Sequence, residues 1–112
     1  MPDNYAGEDI TVEIEYMLDS VTTGDVTWKV GFAASTDGTD MTNKVTAARQ
    51  ATTSTVPGTA KVKKRATITL TAAQADSIAA GYNITMVVGR DTAAGTPAAA
   101  AARLTGLRIY WA

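Results

Sequence analysis

Apolar residues recur at every second position along most of this chain, and that period commits it to strands. Ile10, Val12, Ile14, Tyr16 and Leu18 alternate with Thr11, Glu13, Glu15 and Met17. Successive side chains of a strand point to opposite faces, so this stretch has one apolar face and one acidic face. In TTGDVTWKVGF, Val26, Trp28, Val30 and Phe32 alternate with Thr27, Lys29 and Gly31 behind a Gly-Asp turn. Val62, Ala66, Ile68 and Leu70 take even positions, with Lys63, Arg65, Thr67 and Thr69 facing water. Tyr82, Ile84, Met86 and Val88 follow the same rule, and the adjoining Val87 predicts burial on both sides near the strand's end. In RLTGLRIYWA, Leu104 and Leu107 break the period. A β-bulge at Thr105-Gly106 restores it. Leu107, Ile109 and Trp111 then share one face, and Arg108 and Tyr110 the other.

Between these runs the chain is punctuated by turn chemistry. Asp, Ser, Thr and Gly fill DSVTTGD, from Asp19 to Asp25, which predicts a hairpin pairing the first two strands antiparallel. STDGTDMTN, from Ser35 to Asn43, reads as a loop. Val45 to Val56, rich in Thr and Ala, predicts a peripheral strand ended by Pro57-Gly58. LTAAQADSIAAG carries the one helical signal. Thr71 and Gln74 have capping-box spacing, the alanines favour helix, Ile78 supplies an inward anchor and Gly81 a stop. DTAAGTPAAAAA, from Asp91 to Ala102, is a small-residue loop that regains strand form at its end. Five clear strands, one or two weak ones and no alternating long helices predict an all-β chain. The expected form is one antiparallel β-sandwich over residues 1–112, jelly-roll-like, with one short connecting helix.

Composition removes whole classes of function. A chain of 112 residues builds one core. Its formal charge of −1 creates no field to recruit nucleic acid or an anionic membrane. With no cysteine there is neither a disulfide nor a thiolate metal site. With no histidine the usual general base, metal ligand and neutral-pH switch are missing. MPDNYAGEDI has no signal-peptide pattern, and no apolar run nears the roughly 20 residues that cross a bilayer. The charge is uneven, however. Asp3, Glu8, Asp9, Glu13, Glu15, Asp19 and Asp25 make the first quarter acidic, while Lys61, Lys63, Lys64 and Arg65 cluster. These are either two solvated faces or surfaces that attract each other, within a chain or between subunits.

Three groups offer chemistry, each weakly. Asp37, Asp40 and Asn43 are oxygen ligands, but without the alternate acidic positions and distant Glu of a calcium loop they read as a hydrated loop. Asp76, Arg90 and Asp91 would meet if a helix packed beside the last turn, and structural ion pairing is then the expected outcome, since no nucleophile or base completes a triad. KVKKR has no interleaved aromatic to stack a base, so it reads as a solvated edge whose lysines block unwanted strand pairing. Trp28 and Phe32 are expected in the core. Trp111 is open between core and interface, and Tyr82 and Tyr110 are expected to be half exposed. No catalytic residue, cofactor or metal is expected.

The order and spacing of several stretches resemble a small all-β domain family of tailed-bacteriophage virion proteins, also met in prophage-like and marine metagenomic sequences. MPDNYAGEDITVEIEYM, SVTTGDVTWKVGF, KKRATITLTAAQADSIAAGYNITMVVGRD and RDTAAGTPAAAAARLTGLRIY carry the likeness. Met1-Pro2, Tyr5 and Gly7 match the family's opening turn, and Gly24, Val26 and Trp28 its hairpin. Thr71, Gln74, Ala75, Asp76, Ala80 and Gly81 match its helix-to-strand crossing, and Arg90-Asp91 its final turn. The resemblance implies a non-enzymatic structural protein of the virion, such as a capsid decoration, tail or fibre component. It would self-associate as a homo-oligomer or dock on other virion proteins, without nucleic acid or membrane insertion. The family supplies no catalytic residues. Related sequences carry a further strand before the Met-Pro turn, which here would be missing or supplied by a neighbour. The candidate assembly contacts are Glu13, Glu15, Lys61, Lys63, Lys64, Arg65, Tyr110 and Trp111. The alternative is a receptor-binding module for a host cell-surface glycan. Exposed aromatics clustered at loop ends would favour the glycan, and a flat apolar patch would favour assembly.

Overall fold

The computed structural model describes residues 1–20, 23–41, 49–92, 97–98 and 102–111. Six strands run in the order β1 (Ile10–Leu18), β2 (Asp25–Ser35), β3 (Gln50–Thr55), β4 (Lys64–Leu70), β5 (Asn83–Asp91) and β6 (Ala102–Trp111). They form two three-stranded sheets, β4-β1-β6 and β3-β2-β5. Every pairing between neighbours is antiparallel. The sheets pack face to face around one core. Ile10, Val12, Ile14, Tyr16 and Leu18 of β1 meet Val26, Trp28, Val30, Phe32 and Ala34 of β2 there, and the rings of Tyr16 and Trp28 lie 5.6 Å apart.

The expected hairpin between the first two strands does not form. β1 and β2 are the central strands of different sheets, and residues 21–22 between them lie outside the described residues. Each has both ladder edges taken by other strands, so the two meet through their apolar faces instead. That arrangement buries both large aromatics, which a two-stranded ribbon would leave half wet. Gly24, at φ 96°, supplies a left-handed step just before β2. The hairpin in this part of the chain is β2–β3, and β3 is the peripheral strand, an edge shorter than Val45 to Val56. Residues 42–48, including the start of that stretch and the end of the Ser35–Asn43 loop, lie outside the described residues.

No helix forms after β4 among the described residues. Its nucleus is nevertheless built: Thr71 N–H donates to Gln74 Oε1 and Gln74 N–H to Thr71 Oγ1, a reciprocal capping box. Ala75 N–H then closes one turn on Thr71 O at 3.0 Å. Asp76 and Ser77 follow at φ 60° and 51°, which stops propagation. Asp76 Oδ2 accepts the Ala34 N–H at 3.0 Å, while Ala75 and Ile78 enter the core. These tertiary contacts outweigh a two-turn helix that would have to repay its own nucleation.

Three further expectations change. Val62 and Tyr82 lie outside the strands and are exposed. Val87 is only half-buried, because β5 is an edge strand. Of the stretch before β6, Pro97 makes a single bridge to Asp25, and 93–96 and 99–101 lie outside the described residues. The bulge in β6 is present. Glu15 registers with Gly106 and Tyr16 with Leu104, leaving Thr105 as the extra residue.

Candidate functional site

The outer face of the β4-β1-β6 sheet collects most of the charge. On β1, Glu13 and Glu15 point away from the core because their neighbours Val12, Ile14 and Tyr16 point into it. β4 brings Arg65 level with Glu15, and β6 brings Arg108 level with Glu13. Arg65 Nη2 donates to Glu15 Oε1 at 3.0 Å, and Lys63 Nζ lies 3.2 Å from Glu15 Oε2. Glu13 Oε2 lies 3.8 Å from Arg65 Nε and 3.7 Å from Arg108 Nη1, and Tyr110 Oη donates to Glu13 Oε1 at 3.4 Å. The Arg108 guanidinium sits 4.8 Å from the centre of the Tyr110 ring. Gly106 leaves a gap beside Glu15. A Cβ there would stand 3.1 Å from Glu15 Oε2. The result is a shallow pocket of about 160 Å³ lined by Glu13, Glu15, Arg65, Gly106, Leu107 and Arg108.

Hydrogen bonds from Arg65 and then Lys63 hold the Glu15 carboxyl below its ordinary range. Glu15 therefore acts as an acceptor at neutral pH, and both Glu13 and Glu15 lie beside cations of the same chain. They sit on one strand rather than facing across a cleft, the arrangement that paired-carboxylate hydrolysis needs. Among the described residues no group of three or more acidic, histidine or cysteine side chains comes together to hold a metal ion.

Five of the candidate contacts thus meet: Glu13, Glu15, Lys63, Arg65 and Tyr110. Arg108 belongs with them, a residue the sequence placed on the right face but not in the cluster. The acidic first strand and the basic segment pair within one chain, so this charge pattern is satisfied without a second subunit. Lys61, Lys64 and Trp111 stand apart. Lys61, at φ 64°, ties its N–H to Leu18 O at 2.8 Å in the connection before β4. Lys64 registers with inward-facing Tyr16 at the first position of β4 and is itself exposed. Trp111 faces inward beside Ile10, and its ring meets Tyr5 edge-on at 6.1 Å. The Asp76, Arg90 and Asp91 group is not assembled either. Asp76 binds at Ala34, whereas Arg90 and Asp91 register with Trp28 and Thr27 near the other end of β2. Arg90 Nη2 donates to Ala98 O at 2.8 Å, and Asp91 pairs with Lys29 at 3.2 Å.

A second surface lies along one side of the sandwich. By register, Leu104, Leu107 and Ile109 of β6 share the inward face with Tyr16, Ile14 and Val12, and Ile84 of β5 shares it with Ala34. All four are nevertheless exposed, by 44, 42, 37 and 39% respectively. Periodicity marked these side chains as inward. It carried no sign that the side they line would be open.

No protein-family model, no curated protein and no solved structure matches this chain. Among the described residues no helix is long and apolar enough to cross a membrane.

Proposed function

We propose that this chain is a non-enzymatic structural domain of a tailed-phage virion, working as a capsid decoration, tail or fibre component by associating with itself or with other virion proteins. The observation that carries the reading is the exposed aliphatic surface of Ile84, Leu104, Leu107 and Ile109. Exposed aliphatic side chains on strand faces are what an assembly contact needs. A sugar site would need aromatic faces at loop ends, and Tyr82 is the one large aromatic side chain among the exposed hydrophobics of the described residues. The same evidence therefore favours assembly over a glycan-binding module.

The fold class proposed with it is the jelly roll. An eight-stranded jelly roll places its third to eighth strands in two sheets, with the third between the sixth and the eighth and the fourth between the fifth and the seventh. The order β4-β1-β6 over β3-β2-β5 repeats that arrangement strand for strand. Purified particles of the phage or prophage that encodes the chain supply the test. Peptides of this chain in stoichiometric amount within intact particles are the expected result. Recovery only as free protein, or specific retention on a glycan array with no copy in particles, would overturn the reading.

A further inference from the structure

We infer that the open side of the sandwich, along β5 and β6, is a docking surface for a second copy of this chain, joined edge to edge about a two-fold axis perpendicular to the sheets. The inference rests on the assembly reading above and gives it a site and a partner. The two sides of the sandwich differ in kind. On one side β3 and β4 touch across the sheets and bury Ser54, Ala66, Ile68 and Leu70. On the other, no comparable contact joins β5 and β6 among the described residues, and the inward-facing Ile84, Leu104, Leu107 and Ile109 remain exposed.

The edges differ as well. Edges that must stay unpaired are shortened or charged. β3 has six residues, and β4 begins in Lys64 and Arg65 directly after Lys63. β5 has nine residues and no ionisable side chain from Asn83 to Gly89. Its Asp91 is paired with Lys29. On β6, Arg103 is held by Asp19 at 2.8 Å and Arg108 lies beside Glu13. From Asn83 to Gly89, therefore, β5 brings no charge to the meeting of two such sides.

Symmetry supplies the rest of the argument. A two-fold axis perpendicular to a sheet sets its edge strand antiparallel to its own copy, which extends an antiparallel sheet in the correct sense. Because β5 and β6 lie on the same side, one axis extends both sheets at once. Strands of nine and ten residues approach the 20–30 residues a side of a standard interface. The bulge at Thr105 interrupts the ladder on β6, so β5 contributes most of the hydrogen bonds and β6 mainly apolar side chains.

The test is the solution mass of the full chain across a dilution series, with hydrogen exchange of the β5 amides that do not bond to β2. A dimer with those amides protected is expected. Ile84→Lys, at an already exposed position, is expected to raise the dimer dissociation constant at least about 30-fold, the loss of one hot-spot contact. Ala51→Lys, on the opposite edge, is expected to leave it unchanged. Circular dichroism of both variants establishes that they fold. A chain monomeric at every concentration, an open-ended series of oligomers, or a dimer indifferent to Ile84→Lys would overturn the inference. A monomer still found in virions would sink this docking mode and leave the virion reading standing. A dimer absent from particles would do the reverse.

Discussion

Tyr16 and Trp28 are the residues through which the two central strands meet. Trp28 is almost fully enclosed, and its indole Nε1 has no acceptor among the described residues. Trp28→Ala is expected to cost about 3–5 kcal/mol, as emptying a large aromatic site does. Trp28→Phe should cost less than half of that, because it also removes a buried, unpaired donor. Denaturant melts of the two variants check the pair, and equal losses would show that the N–H is satisfied in solution. Tyr16 Oη donates to Ser54 Oγ at 2.7 Å inside the core. Tyr16→Phe strands that hydroxyl and should destabilise by about 1–3 kcal/mol. Burial pushes the Tyr16 phenol up, with Asp25 adding to the effect and the Ser54 bond opposing it. A raised acid favours the native state while both forms are protonated. Its stabilising effect is therefore complete below the ordinary value of 10.0 and lost as pH rises through the native one. Melting temperature should fall above about pH 10, less steeply in Tyr16→Phe. A residual slope is expected from Tyr5, raised by burial and then by Glu8 and Asp9. Identical alkaline slopes would mean that Tyr16 does not titrate with unfolding.

At the scale of the strands, the bulge and the outer-face network are the features to perturb. Thr105 is the unpaired residue, so deleting it joins Leu104 to Gly106 with every side chain still on its own face. Deleting Arg108 instead turns Leu104 and Leu107 outward. The first variant is expected to fold with a small change in melting temperature, and the second to lose β6 pairing. Hydrogen exchange along β1 distinguishes them, and equal protection would show that β6 register is not fixed by its pattern. The network on β1 and β4 adds a pH term of opposite sign to that of Tyr16. Glu15 has a lowered carboxyl, so its contribution is present above the ordinary carboxylate range and lost as pH falls through the native value. Thermal melts between about pH 5 and pH 3 should show a shallower decline for Glu15→Gln than for the parent chain. Parallel curves would mean that solvent screening cancels the exposed Lys63 and Arg65 partners.

The whole molecule is built from pairings between distant parts of the chain. β1 pairs with β6 from Ile10–Trp111 to Leu18–Ala102, and β2 with β5. Such non-local contacts are formed only after large loops close, so refolding is expected on the millisecond-to-second scale of all-β domains. Stopped-flow tryptophan fluorescence measures this directly, and microsecond refolding would contradict the topology. Chain removal should act globally for the same reason. Ending the chain before Ala102 strips β1 of one partner and uncovers Ile10, Val12 and Ile14. The expected product lacks the two-state unfolding of the full domain.

Alternation by itself located β1 residue for residue, assigned both faces of β4 and β6, and required a bulge at Thr105, but on β2 the face opposite Trp28 also buries Thr27 and Ala33. These are local matters, since the direction of a side chain follows from its place along a strand. The capping box at Thr71 and Gln74 was equally local, and it forms. Whether the turn it starts would continue was not local: Asp76 is drawn to Ala34 and Ile78 to the core, and a helix would have forfeited both. Strand partners were decided the same way. DSVTTGD can close a hairpin or bridge two sheets, and the choice depends on β4, β6, β3 and β5 taking the ladder edges of β1 and β2. The candidate site divides along the same line. Glu13, Glu15, Lys63, Arg65 and Tyr110 could be read as outward and charged, but only the order β4-β1-β6 made them one network within one chain. Inward Leu104, Leu107 and Ile109 could be read as core, and only the packing of two three-stranded sheets left them at an open side. A pattern records which face a residue turns, while the number of strands beside it decides whether that face is covered.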